Sequence, residues 1–242
     1  MIIMKNQNKI ILIAVLLIII GAVIYIESSH YNEITYTTLA NTSIGTVEVG
    51  IAGNENATKS IALITGIHPR ETLSIEPEIE AAREFGNDDV KIIHYKVTVT
   101  DHAEDYQQGR SNGESLVHDY VNPDVMSSDA DAVIISHSHI PEYGQGFYLA
   151  TPEMDGASVN IAKNINYTSD FNYYPVTGNE TYKSTSAKLV SKPIAQAGYP
   201  TFVYEIPEDI SERAATEKNQ RTIQFDCRKY LKKVYFKKIK NI

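Results

Sequence analysis

Three short, strongly apolar runs limit the folds open to this chain more than any other feature. They are Ile61-Ala62-Leu63-Ile64-Thr65, Ala132-Val133-Ile134-Ile135-Ser136 and Thr201-Phe202-Val203-Tyr204. Apolar runs of this length without alternation read as strands covered on both faces, the pattern of parallel sheets flanked by helices. The segments between them fit that reading. Glu71–Phe85, Ala157–Ile165 and Ser184–Ala197 pattern as helices, the last interrupted near Pro193. Glu114–Val121 reads as a short helix stopped near Pro123, and Ser211–Lys233 as a long one. Ile34–Leu39 and Thr46–Ile51 alternate around a turn and predict a hairpin, and Val90–Val99 and Phe147–Ala150 read as further strands. The order predicts an α/β fold, with a mixed, largely parallel sheet and helices on both faces. At 242 residues and 43% hydrophobic content the chain can bury a sizeable core, and one domain is the default.

Each apolar run ends in a side chain suited to metal or proton chemistry. The first leads into Gly66-Ile67-His68-Pro69-Arg70-Glu71, the second into His137-Ser138-His139, and the third into Glu205. Imidazole and carboxylate are ordinary zinc ligands, and a His and a Glu three apart at a strand end can reach one ion from the same side. Ligand sites in open α/β sheets gather at the carboxyl ends of the strands. Two other H-x-x-E runs, His30 to Glu33 and His139 to Glu142, do not sit where a strand hands over to a helix. His139 lies two residues beyond His137, on the same face of an extended strand, and is a rival metal ligand. His94, His102 and His118 read as solvated or core residues.

The pieces Gly66-Ile67-His68-Pro69-Arg70-Glu71, His137-Ser138 and Thr201-Phe202-Val203-Tyr204-Glu205, in that order, resemble the zinc carboxypeptidase (carboxypeptidase A-like) family and its relatives, the succinylglutamate desuccinylases and aspartoacylases. Tyr143-Gly144-Gln145 before an aromatic strand adds to the match, which covers about residues 60 to 206. The resemblance implies that His68, Glu71 and His137 bind one zinc ion and that Glu205 is the general acid-base residue. It makes His137, rather than His139, the third ligand. Two departures stand out. The family grips a substrate carboxylate with an Asn-Arg pair, and the corresponding stretch Ser115-Leu116-Val117-His118-Asp119-Tyr120 lacks it. The spacing from Glu71 to His137 is also short for the family, which implies trimmed loops.

The chemistry follows from the residue types as well. Zinc with three protein ligands lowers the pKa of bound water to about 7 and polarises a carbonyl. A carboxylate such as Glu205 takes the water's proton and passes it to the leaving amine. Arg110, within Gln107-Gln108-Gly109-Arg110-Ser111-Asn112, is a candidate to stabilise the oxyanion and resembles the family's loop arginine; a surface salt bridge is its other reading. Tyr182 stands at about the family's distance for its mobile tyrosine.

The ends of the chain differ from its middle. Ile10 to Ile26 is uncharged and nearly all aliphatic, preceded by Lys5 and Lys9 and followed by Glu27. Seventeen residues make roughly 25 Å of helix, which predicts an N-terminal transmembrane helix over 10–26, with residues 1–27 forming a cytoplasmic N-terminus and membrane anchor. Glu27-Ser28-Ser29-His30 offers no small-residue cleavage site, so the segment reads as an uncleaved anchor rather than a signal peptide. Residues 28–227, read as the hydrolase-like domain, hold 13 basic residues against 29 acidic, a net of −16. That charge repels polyanions and argues against nucleic acid as a partner. Residues 228–242 form a basic tail with seven cations and no acid, read as a helix end complementing its own dipole or as a surface for anionic lipid. The lone Cys227 makes no internal disulfide.

These readings predict a single-pass, membrane-anchored zinc hydrolase of peptide or amide bonds acting outside the cytoplasm. Its substrates would be peptides, or alternatively N-acyl amino acids. A non-catalytic surface binding module on the same fold is the competing class.

Overall fold

The computed structural model describes residues 9, 11–23, 33–87, 89–168, 171–175 and 184–210. The chain divides into two units, residues 1–33 and 34–242. In the first, residues 11–23 are helical and their apolar side chains are exposed. The expected transmembrane helix is not found: no described helix is long and apolar enough to cross a membrane. Residues 1–8, 10 and 24–27 of the expected segment lie outside the described residues.

The second unit is built on one eight-stranded sheet in the order β1-β2-β4-β3-β5-β8-β6-β7. The strands are β1 Thr35–Asn41, β2 Gly45–Ala52, β3 Lys59–Thr65, β4 Val90–Val99, β5 Ala132–His139, β6 Tyr148–Thr151, β7 Asn172–Pro175 and β8 Thr201–Pro207. The three apolar runs of the sequence lie side by side as β3, β5 and β8, all parallel, with β4 parallel to β3 on the other side. The hairpin β1–β2 joins antiparallel to β4, and β6 joins antiparallel to β8. Burial on both faces is what lets β3 and β5 dispense with polar alternation.

Helices cover both faces. We number them α1 Glu76–Phe85, α2 Tyr106–Leu116, α3 Asn122–Ser127, α4 Gly156–Thr168 and α5 Lys192–Gln196. Ile79, Ala82 and Phe85 of α1 pack on Ile61, Leu63 and Ile92. Ile161 and Ala162 of α4 pack on Phe202, Tyr204 and Ile206 of the same face. Leu116, Val117, Val121, Val125 and Ile194 cover Ala62, Ile64, Val133 and Ile135 on the opposite face. Each such fully buried aliphatic side chain contributes about 1.5–3 kcal/mol.

Several boundaries differ from the sequence expectation. Glu71 lies outside the helix that follows it: a single 3₁₀ turn, Thr72–Ser74, intervenes and α1 starts at Glu76. Arg110 sits within helix α2, where the sequence suggests a loop. Pro123 and Pro193 do not end helices but occupy the first turns of α3 and α5, each preceded by a π-helical turn, Val117–Val121 and Ala187–Ser191. In each case the backbone stays helical through the π turn, whose wider winding accommodates the proline's missing N–H. Strand β5 runs on through His137 and His139, and β7 is an additional edge strand. The expected helix over 211–233, Cys227, the basic tail and Tyr182 lie outside the described residues.

Candidate active site

The loop leaving β3 is held by close backbone packing. Gly66 adopts φ +78°, and a Cβ there would collide with the carbonyl oxygen of Val97. Gly113 of α2 lies so near the loop that a Cβ would collide with the carbonyl oxygen of Ile67. Only glycine combines a positive φ with such an approach at no steric cost. Ile67, fully buried, pins the loop to the core, and the Glu71 N–H donates to the His68 carbonyl at 3.0 Å, closing a turn that turns both side chains inward. The Ser74 hydroxyl donates to the Glu71 carbonyl at 2.7 Å.

Three donor groups converge at the end of the sheet. His68 Nδ1 lies 2.8 Å from Glu71 Oε1, and His137 Nδ1 lies 2.8 Å from Glu71 Oε2. The three ligand atoms lie within 4.8 Å of one another and all three residues are buried. The rings of His68 and His137 are 4.5 Å apart between centroids. Each imidazole Nδ1 can donate an N–H to this carboxylate or, deprotonated, share a cation with it. The donor set N, O, N with burial fits a divalent metal such as zinc.

The surroundings favour that set. His68 directs Nε2 to Glu114 Oε1 at 3.3 Å, a contact that would hold the proton on Nε2 when Nδ1 ligates a metal. The Ser138 N–H donates to Glu71 Oε2 at 3.3 Å. Burial alone would raise Glu71, but His137 and His68 outweigh it and hold the carboxyl well below the usual range. Burial alone would lower His68, but hydrogen bonds to Glu114 and Glu71 outweigh it and raise the imidazole.

Glu205 pairs in register with His137 across β5 and β8. It is half-buried, faces a cavity of about 790 Å³, and has no ion-pair partner among the described residues. Burial, with the charges of Glu71 and Glu208, pushes it up to about 7 against the opposing pull of His137 and Arg110. Arg110 enters the cavity from α2 and donates from Nη1 to Glu71 Oε1 at 2.6 Å. Its guanidinium carbon sits 5.3 Å from the centre of the Tyr106 ring, and that of Arg70 sits 5.9 Å from it.

The structure therefore brings His68, Glu71, His137, Glu205 and Arg110 around one cavity. The rival His139 also lines the cavity, but its nitrogens lie 3.0 Å from the carbonyl oxygens of Ile140 and Gly146, and it stands apart from the three-residue set. Val117 is fully buried in the core, and exposed His118 faces the Leu189 carbonyl at 3.0 Å; neither lines the cavity. Sequence reasoning missed Glu114, which follows Arg110 by one helical turn and so shares its face. That spacing was the available signal.

No protein-family model and no curated protein sequence matches the chain. Solved structures do. A candidate carboxypeptidase A of Shewanella denitrificans OS-217 superposes with a TM-score of 0.56 at 12% identity, over 78% of this chain and 62% of its own. A candidate carboxypeptidase of Burkholderia mallei ATCC 23344 gives 0.50 at 11% identity, over 79% of this chain and 62% of its own. The chain thus spans less than two thirds of the length of these neighbours.

Proposed function

We infer the function from a fold shared with solved structures of candidate carboxypeptidases. We propose that this chain is a zinc-dependent hydrolase of peptide or amide bonds that binds one ion. The observation that carries this reading is the bridging carboxylate of Glu71, 2.8 Å from Nδ1 of both His68 and His137, beside Glu205, which has no ion-pair partner among the described residues. When bound by His68, Glu71 and His137, zinc lowers the pKa of water and polarises a carbonyl. Glu205 accepts the proton of the attacking water and delivers it to the leaving amine. Its upward shift toward neutrality suits a group that must both take and give a proton. Arg110 offers guanidinium N–H donors to the oxygen that gains negative charge. Glu114 keeps His68 in the tautomer that presents Nδ1.

Peptides lead as substrates, with N-acyl amino acids second, because the carboxylate clamp expected for a C-terminal exopeptidase is absent at 117–118. We place the site outside the cytoplasm, attached to a membrane through the N-terminal segment. Ten side chains of residues 11–23, from Ile11 to Val23, are large, apolar and 46–70% exposed, which supports contact with an apolar phase.

The test compares the zinc-loaded chain with Glu205→Gln on short peptides and on N-acyl amino acids. Glu205→Gln keeps the metal and loses roughly 10²–10⁴-fold in turnover. Near-normal turnover by the variant would remove Glu205 from this role.

A further inference from the structure

Tyr106 opens helix α2 with a ring that stays largely exposed. That ring has two specific neighbours. The guanidinium carbon of Arg110 lies 5.3 Å from its centroid and that of Arg70 lies 5.9 Å from it. Both distances fall inside the range of about 6 Å in which the face of an aromatic ring attracts a cation. All three residues line the cavity. Two guanidinium groups gathered at one ring repel each other, and the negative face of the ring offsets that repulsion for each.

The ring is fixed by its helix. Asp105 caps α2 by accepting from the N–H groups of Gln107 at 3.0 Å and Gln108 at 2.7 Å, which sets the first turn. Tyr106 and Arg110 are four residues apart in α2 and share a helix face. Gly109 brings that helix against the loop that carries Arg70, since a Cβ there would lie 3.1 Å from Pro69 Cγ. The same close approach that Gly113 allows at Ile67 therefore puts both guanidinium groups within reach of the Tyr106 ring. Arg110 donates from Nη1 to Glu71 Oε1 at 2.6 Å. A guanidinium carries five N–H donors in one plane, so this bond leaves others for an oxygen in the cavity. Where they aim depends on how the plane is held, and an arginine side chain has much rotamer freedom to lose.

We propose that Tyr106 is a positioning residue: the face of its ring holds the Arg110 guanidinium in the orientation in which its N–H donors meet the oxygen that gains negative charge. For the role of Arg110 this rests on the hydrolase reading above; the hold itself rests on the ring geometry. The hold works through the ring and leaves the phenol hydroxyl dispensable.

The experiment places phenylalanine with no, one, two or three ring fluorines at position 106 of the full zinc-loaded chain, beside Tyr106→Trp and Tyr106→Leu. Fluorine drains the negative face of the ring and changes its size little. On short peptides, kcat and KM are measured separately. Tyr106→Phe and Tyr106→Trp should keep the parent's kcat. With added fluorine kcat should fall stepwise, to roughly two- to fivefold below the parent at three fluorines and in Tyr106→Leu, the range of an exposed cation–π contact. KM should hold, because an oxyanion contact is made only in the transition state. In an Arg110→Met background the series should be flat. Equal kcat across the fluorine series, or a slope that survives Arg110→Met, overturns the proposal while leaving hydrolysis intact. If the parent cleaves no peptide, the hydrolase reading falls and chemical denaturation decides the hold. The folding equilibrium constant should then drop along the series by a similar factor, and the drop should vanish once Arg70 and Arg110 are both replaced by Met. A series without slope, or one unaffected by losing both arginines, overturns it.

Discussion

Glu114 Oε1 stands 3.3 Å from His68 Nε2, joining residues 46 apart in the chain. The contact exists because Gly113 lets α2 press against the Ile67 carbonyl. A carboxylate behind a ligating histidine fixes its tautomer and raises its basicity, and losing such a partner typically costs 10–100-fold in metal affinity. Glu114→Gln should therefore weaken zinc binding by about that factor, measured by competition with a chelator. Gly113→Ala should do the same without touching any polar group, because the helix must move away. Unchanged affinity in both would show that the pair is only a packing neighbour.

Glu78 gives a prediction about stability and pH. It is fully buried on α1, and neither carboxylate oxygen has a hydrogen-bond partner among the described residues. Burial pushes it up to about 8, and Ser136 beside it falls short of hydrogen-bond geometry and offsets only part of this. The folded chain thus keeps a proton that the unfolded chain has already lost above its ordinary value of 4.5. Stability must fall as pH rises from about 4.5 to about 8, and the slope ends once both states are ionised. Glu78→Gln removes this slope. Its gain over the parent, followed by chemical denaturation, should grow across that window to the order of a few kcal/mol and then level off. A difference independent of pH would mean that Glu78 is not held neutral.

The site lacks an Asn-Arg clamp at 117–118, where Val117 is core and His118 faces Leu189. Charge-assisted hydrogen bonds contribute about 1.5–3 kcal/mol each, so a true clamp would make a free C-terminus worth well over tenfold. One peptide with a free and with an amidated C-terminus should differ in kcat/KM by less than about tenfold. Loss of cleavage on amidation would place a carboxylate receptor elsewhere in the cavity.

Much of this arrangement was legible in the residues themselves. Unbroken apolar runs marked β3, β5 and β8, and the polar residues that end them met at one sheet edge because those strands are parallel neighbours. Helix α2 was not legible. Its sequence, Tyr-Gln-Gln-Gly-Arg-Ser-Asn-Gly-Glu-Ser-Leu, has two glycines and little apolar patterning, so it read as a loop. The helix is instead started by Asp105, which accepts from the N–H groups of Gln107 and Gln108, and its glycines serve close approach to the site. Pro123 misread as a stop for a similar reason: the chain absorbs it through a π turn before the next helix begins, as it does at Pro193, where an interruption was expected. Edge strand β7 is mostly exposed and carries no alternation to detect.

The central claim is that His68, Glu71 and His137 hold one zinc ion. Metal titration of the apo chain and of His68→Ala, His137→Ala and His139→Ala tests it most directly. The account predicts about one zinc per chain, with loss of either His68 or His137 weakening binding by more than the 10–100-fold typical of an outer partner. His139→Ala should keep its metal, since that ring is engaged by the carbonyls of Ile140 and Gly146. No metal after reconstitution, or a loss in His139→Ala equal to that in His137→Ala, would contradict it.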